Sequence, residues 1–482
     1  MDIILASDRG PVEFQLAEGC LGLEPRQSSV TGILHMAAGA IPGRVRWLGA
    51  SSSHGDRIAV TSGRYGGSLP GIRYEYEPVL IDEWDYRSYY SDAGVRMLWI
   101  AHHGLWEELA PCKANRPSIF SFAGPYQSVN CRFAERIASL CSPMSLVLFQ
   151  DYQLATAPGF LRRFRQRQPI ALFMHTPFAD VDSLRRLPRF VATSLVQGML
   201  GADLLGFQRR LWAERFMQCC EEIGASVDYE AGMVQYGGRC SWIRCYPVSI
   251  EPRSVLSESI TDNSLTWARS IDANIRDRCI VRVDRLDPAK NALRGFEAFE
   301  RLLEQDHSLQ GSVHFVACLV PSRSDVPEYK WYGERVWMAV ARIWERYPGS
   351  LSVYFGSDAD RALGALRCYD VLLVNPLADG MNLVAQEGPM VNTKDGVVVL
   401  ARGAGCADQL PGAVLLEDSR DVESTVQALR SSLNMPLSER RQRATAMRNQ
   451  IYRRTPHDWL TAQLLDLESI CLRSHPTEPW MS

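Results

Sequence analysis

Short apolar runs rich in Val, Ile, Leu and Phe recur along this 482-residue chain, each followed by loop residues and then a helical pattern. In the first half they are Ile3-Ile4-Leu5-Ala6, Ser145-Leu146-Val147-Leu148-Phe149 and Ile170-Ala171-Leu172-Phe173-Met174. In the second half they are Cys279-Ile280-Val281-Arg282-Val283, Val313-His314-Phe315-Val316-Ala317, Val371-Leu372-Leu373-Val374 and Val397-Val398-Val399-Leu400. A run with no polar face belongs to a strand buried on both sides, as in a parallel sheet covered by helices. Between the runs lie helical segments such as 292–304, with Leu293, Phe296, Phe299, Leu302 and Leu303 on one stripe. The alternation predicts an α/β fold with crossover connections.

The runs form two groups, separated by a more polar stretch near 225–275. Within it, residues 242–252 (WIRCYPVSIEP) read as a strand leading into an extended connector, because residues before Pro avoid the helical region. The expected organisation is two Rossmann-like domains, 1–247 and 248–455, facing each other across a cleft. From Pro456, a helix within 456–482 carries Trp459, Leu460, Leu464 and Leu467 on one face. Doubly wound domains place ligands beyond the C-terminal ends of their strands.

Composition narrows the function classes. Lys plus Arg is 52 and Asp plus Glu 55, a net charge of −3, so neither nucleic acid nor an anionic membrane surface is an expected partner. Twelve Trp, 16 Phe and 17 Tyr supply a core that a disordered chain lacks. Thirteen Cys without CxxC spacing read as reduced, mostly buried thiols of a cytoplasmic protein. The opening MDIILASDRGP meets charge too early for a secretory signal, and no apolar run reaches the ~18 residues of a membrane span.

Four clusters follow apolar runs. Ser7-Asp8-Arg9-Gly10-Pro11, with Val30-Thr31-Gly32-Ile33 after it, is either an ordinary turn or a hold for an anion at a helix start. Gln150-Asp151 and His175-Thr176-Pro177-Phe178 put polar groups at the ends of very apolar strands, which is costly unless they are hydrogen-bonded or face a cleft. In Arg285-Leu286-Asp287-Pro288-Ala289-Lys290-Asn291, two cations five apart across a turn either meet one diphosphate or sit in solvent. Arg323, in PSRSDV, invites the same two readings. In NPLADGMNLVAQE, a strand runs into an Asp379-Gly380 turn and then a helix bearing Glu387, an arrangement suited to a sugar nucleotide.

Arg9, HTPF, PVSIEP, RLDPAKN, PSRSDV and NPLADGMNLVAQE, in this order, resemble the trehalose-6-phosphate synthase family of retaining glycosyltransferases. QDYQ, VRVDRLDPAKN and NLVAQEGPMV are similar to its actinobacterial branch, some members of which prefer GDP-glucose. The resemblance implies a GT-B fold whose terminal helix crosses back to the first domain. It implies a nucleotide diphosphate sugar as donor (GDP-glucose favoured, UDP-glucose next) and glucose 6-phosphate as acceptor. Arg9, Tyr90, Trp99 and Arg323 would hold the acceptor phosphate and Asp151 its hydroxyls. His175 would face the donor sugar and the developing positive charge, and Gly32 the donor phosphate. Arg285 and Lys290 would grip the diphosphate, Asp379 the glucose hydroxyls and Glu387 the ribose. The main chain of Gly380, Met381, Asn382, Leu383 and Val384 would complete the donor cradle.

The expected chemistry is internal return through an oxocarbenium-like state, with Arg285 and Lys290 stabilising charge that grows on the leaving phosphate. No metal or other cofactor is expected, and the DxD-like strings Asp180-Val181-Asp182 and Asp358-Ala359-Asp360 are read as surface residues. Departures from the family pattern are Asp8 for Asn, Thr31 for the first Gly of a pair, Ser249 for Gly, Ala378 for Arg or Leu, and Gln386 for Lys. Two other readings stay open: a related transferase or pseudo-glycosyltransferase with a different sugar phosphate or a cyclitol donor, and a non-catalytic sugar-phosphate sensor. A homo-oligomer is left open as well.

Overall fold

Seven parallel strands form the spine of one sheet: β1 (Asp2–Ser7), β2 (Arg44–Ala50), β3 (Glu75–Val79), β4 (Ser145–Gln150), β5 (Ile170–Met174), β6 (Leu204–Phe207) and β7 (Arg239–Cys245). In the computed structural model, which describes residues 2–17, 20–26, 29–63, 67–68, 73–112 and 117–474, they lie in the order β7-β6-β5-β4-β1-β2-β3. Antiparallel strands Met233–Tyr236 and Ser226–Asp228 extend the β7 edge, and Gly67–Ser68 the β3 edge. The chain leaves β1 toward β2 on one side and returns as β4 on the other. Strand order therefore reverses between β1 and β4, and the loops leaving these neighbours diverge at their C-terminal ends.

The second sheet repeats the device. Its strands are β8 (Arg278–Arg285), β9 (Val313–Val320), β10 (Leu351–Phe355), β11 (Val371–Val374), β12 (Val397–Ala401) and β13 (Val414–Leu416). All are parallel, in the order β10-β9-β8-β11-β12-β13. Here the reversal falls between β8 and β11, the order of a dinucleotide-binding sheet.

Two units contain these sheets: Met1–Gly104, Asn115–Val248 and Pro456–Ser482 make the first, and Leu105–Ala114 with Ser249–Thr455 the second. Helix Pro456–Ser474 packs on helix Ser29–Ala40 and on β5 and β6 of the first unit; the remainder of the expected 456–482 segment, 475–482, lies outside the described residues. The short segment Leu105–Ala114 enters the second unit, where Glu108 pairs with Arg294 at 2.8 Å and Arg420 at 3.2 Å.

Every apolar run named above is a strand. Strands with charged residues were less visible: Arg46 of β2 is buried and pairs with Glu75 of β3 at 3.2 Å, which gives RVRWLGA no uninterrupted apolar run. Asp180 and Asp358 cap helices by accepting the backbone N–H of Ser183 (2.8 Å) and Arg361 (2.9 Å). Asp360 accepts from Thr261 and Ser264, both at 2.9 Å. The twelve cysteines from Cys112 to Cys471 are free, and no helix among the described residues is long and apolar enough to cross a membrane.

The second core is built on Phe296 and Phe299 of helix Ala292–Gln305, whose rings lie 5.5 and 5.1 Å from that of Phe315 on β9. Leu302, Leu303, Val336, Val340 and Ile343 close around them. Phe299→Ala opens a cavity there and is expected to cost about 3–5 kcal/mol, measured as a lower denaturant midpoint.

Candidate active site

In the first unit, polar groups gather just past β1, β4 and β5. Asp8 follows β1 and is buried; its Oδ2 accepts from the Tyr86 hydroxyl at 3.3 Å. Burial pushes its carboxyl up, against the pull of Arg9, Tyr89, Arg26 and Tyr86. The acidic neighbour of Arg9 is thus a buried, phenol-bonded group, with its nearest guanidinium nitrogen at 3.9 Å. The Arg9 side chain stays 44% exposed. Its guanidinium lies 5.3 Å from the centre of the Tyr90 ring and reaches the Tyr90 hydroxyl at 3.4 Å; Tyr90 in turn stacks on Tyr86 at 5.7 Å.

Tyr90 and Trp99 share the segment Ser88–Trp99, which is wound as a π-helix. Nine positions in an α-helix are two and a half turns at ~3.6 residues each, which places residues on opposite faces. With hydrogen bonds to the fifth residue and about 4.4 residues per turn, nine positions make two turns. The wider winding turns Tyr90 and Trp99 to one face. Trp99 is stacked on His103 at 3.8 Å and packs on Tyr152, just past β4, at 5.9 Å. The sequence pattern carried no signal of this winding.

Asp151, one residue past β4, has φ +67°, a conformation rare outside glycine. Its Oδ1 accepts three hydrogen bonds from the turn after β5: His175 N and Thr176 N at 3.1 Å and Thr176 Oγ1 at 3.0 Å. Burial raises its carboxyl to about 6 against those bonds. His175 is buried, and desolvation lowers its imidazole to about 3, so the ring is neutral at neutral pH. Around Gly32, in the first turn of helix Ser29–Ala40, no atom of the described residues outside its neighbours and its own helix backbone lies within 4 Å of where a Cβ would stand.

In the second unit, the groups cluster past β8, β9 and β11. Asp287 is fully buried. Its Oδ1 caps the turn Pro288–Lys290 through Ala289 N at 3.0 Å. Its Oδ2 accepts from Arg323 at 3.0 Å and the Tyr329 hydroxyl at 3.1 Å, with Arg285 at 3.6 Å. One carboxylate thus organises two of the arginines singled out from sequence. Arg285 is 43% exposed; Arg323, at φ +46°, is mostly buried against the Tyr329 ring. Sequence reasoning missed Asp287 and Tyr329 as the supports, although Asp287 lies inside the RLDPAKN motif.

Lys290 ion-pairs with Asp379, and Asp284 Oδ1 lies 3.8 Å from its ammonium. Asp284 also accepts from the fully buried Arg282 at 3.0 Å. Burial holds the Asp284 carboxyl up, opposed by Arg282 and Lys290. Asn382, at φ +67°, donates to Asp379 Oδ2 at 2.8 Å, and its own Oδ1 accepts from Ala385 N at 3.1 Å. The helix starts at Val384, so Gly380 to Leu383 are loop rather than the first helical turn.

That loop is sewn to the turn after β12. Asp379 N donates to Gly403 O at 3.0 Å, Gly405 N to Asp379 O at 2.9 Å and Cys406 N to Met381 O at 3.0 Å. A Cβ on Gly405 would stand 1.8 Å from Gly380 O, so only glycine permits the approach. Two departures from the family pattern meet each other: Ser249 Oγ donates to Gln386 Oε1 at 3.3 Å, and Ile250 N donates to the same oxygen at 3.2 Å. Glu387 is raised to about 7 by burial, with Glu258 of the neighbouring helix adding like-charge repulsion.

The model of glycosyltransferase family 20 matches residues 25–469. The chain belongs to that family. A trehalose-6-phosphate synthase from Sinorhizobium fredii is 33% identical over 397 residues, 80% of this chain and 82% of that one. A bifunctional trehalose-6-phosphate synthase/phosphatase from Thermoproteus tenax is 28% identical over 484 residues; the match covers 97% of this chain and 64% of that longer one. The crystal structure of a UDP-forming alpha,alpha-trehalose-phosphate synthase from Burkholderia xenovorans superposes with a TM-score of 0.83 at 26% identity, over 98% of this chain and 99% of that one. This family 20 chain is a glycosyltransferase with the α/β GT-B fold of the trehalose-phosphate synthases.

Glu387 gives a pH test. If it accepts hydroxyl hydrogen bonds from the donor, the ionised form binds and the protonated form does not. KM for the donor is then expected to rise several-fold as pH falls through about 7, while Glu387→Gln shows a raised KM without that dependence.

Proposed function

We propose that the chain transfers glucose from a nucleoside diphosphate glucose to glucose 6-phosphate, forming trehalose 6-phosphate with retention. The observation that carries this is the charge cluster at the β8/β11 reversal: Arg285 and Arg323 on Asp287, and Lys290 on Asp379. A diphosphate arriving there exchanges one set of anionic partners for another. Lys290 can turn from Asp379 to phosphate, and Asp379 is then left to accept sugar hydroxyls. The cations balance the charge of the leaving phosphate without a metal ion, and this stabilisation supplies the largest share of the rate.

In the first unit, Arg9 and the co-facial Tyr90 and Trp99 take the acceptor phosphate, and Asp151 shapes the turn that presents His175. A neutral imidazole suits a cationic transition state, because an imidazolium would repel the oxocarbenium carbon. The acceptor hydroxyl attacks the anomeric carbon on the face the phosphate leaves, and that phosphate takes the hydroxyl proton. The resemblance of the QDYQ, VRVDRLDPAKN and NLVAQEGPMV strings to the actinobacterial branch supports GDP-glucose as donor, whereas the similar Burkholderia enzyme is named UDP-forming. We place the enzyme in the cytoplasm, where its free thiols stay reduced.

Arg285→Ala and Lys290→Ala are each expected to lower kcat by at least ~10²-fold, the scale of losing one stabiliser of developing charge; wild-type turnover in either would contradict the mechanism. Arg323→Ala should raise KM for the phosphorylated acceptor more than it lowers kcat, and an unchanged KM would place the acceptor phosphate elsewhere.

A further inference from the structure

The His175 ring is held by more than its own turn. Its Nε2 lies 2.9 Å from Oε1 of Gln150, the last residue of β4. Gln150 is buried, and its amide nitrogen has no partner among the described residues. The imidazole packs between Phe173, nearly perpendicular to it with ring centres 4.8 Å apart, and Trp459, tilted by 50° at 5.6 Å, and Phe173 and Trp459 are themselves edge to face at 4.9 Å. Trp459 belongs to helix Pro456–Ser474, far away in sequence, and its carbonyl accepts from the buried Gln463 at 3.1 Å. Its indole N–H is also buried without a partner among the described residues, so the ring itself is what the tryptophan brings to the contact. Asp151 fixes the backbone of the same residue.

We propose that Gln150 and Trp459 are positioning residues that hold His175 in the Nε2–H tautomer, leaving Nδ1 as the hydrogen-bond acceptor for a hydroxyl of the bound sugar. An amide oxygen can only accept, so it fixes the proton on Nε2, and the ring nitrogen with the lone pair is Nδ1. Packing against the tilted Trp459 ring and the perpendicular Phe173 ring fixes the imidazole plane and so the direction of that lone pair. The terminal helix thereby contributes to the site without touching substrate. The inference rests on the reading of His175 as the residue facing the donor sugar.

The test is the imidazole nitrogen spectrum of the full-length protein labelled with nitrogen-15 histidine, the His175 signals being those missing in His175→Asn. The expected result is a protonated Nε2 and a bare Nδ1 at neutral pH in the wild type. In Gln150→Ala this preference is lost and kcat falls about ten- to a hundredfold, with KM for glucose 6-phosphate little changed. Trp459→Ala should lower kcat similarly, and Trp459→Phe should recover most of the loss. A wild-type proton on Nδ1, or an unaltered tautomer in Gln150→Ala, overturns the proposal. The expected tautomer combined with wild-type turnover in His175→Ala would overturn the sugar contact instead, so the two failures are distinguishable.

Discussion

The ion pair between Lys290 and Asp379 sits where the order of a parallel sheet reverses, and the charge cluster of the second unit depends on it. Loops that leave β8 and β11 toward opposite faces open a crevice into which main-chain dipoles and side chains point. A lysine left there alone would be a costly partly buried charge. Asp379 neutralises it, Asp284 stands behind it, and the buried Arg282 compensates Asp284 in turn. Gly295 leaves room for that arginine, since a Cβ there would meet its guanidinium at 2.1 Å. The chain of alternating charges holds a cation at the edge of an apolar core.

The first unit uses the same geometry with less charge. Its reversal between β1 and β4 places Asp8 and Arg9 beside Asp151, and the next strand brings His175. Burial keeps His175 neutral and pushes the carboxyls of Asp8 and Asp151 up, and Arg9, 44% exposed beside these buried groups, is the outward charge. A buried, hydrogen-bonded wall with one outward guanidinium suits the proposed acceptor, a sugar whose only charge is a phosphate.

Much of the fold was legible because parallel strands buried on both faces write themselves as continuous apolar runs. Strands β2 and β3 were not, since Arg46 and Glu75 satisfy each other across the sheet and break the apolar pattern. The site motifs were legible as residue types at strand ends: Arg285, Lys290, Asp379 and His175 all lie there. Their supports were not. Asp287 gives no sign in sequence that it holds two arginines, the π-helical winding of Ser88–Trp99 has no compositional mark, and Gly403 and Gly405 matter only through a loop twenty-odd residues earlier. Ser249 and Gln386 read as two separate departures until the hydrogen bond between them is seen. Contacts between residues distant in the chain decide each of these.

The most direct test of the account is nucleotide release from GDP-, UDP- and ADP-glucose, each with and without glucose 6-phosphate, with products identified by mass. The account predicts release that depends on the acceptor and a disaccharide phosphate as product, with GDP-glucose the best donor. Binding of donor and acceptor without turnover, or turnover only with a different acceptor, would contradict it.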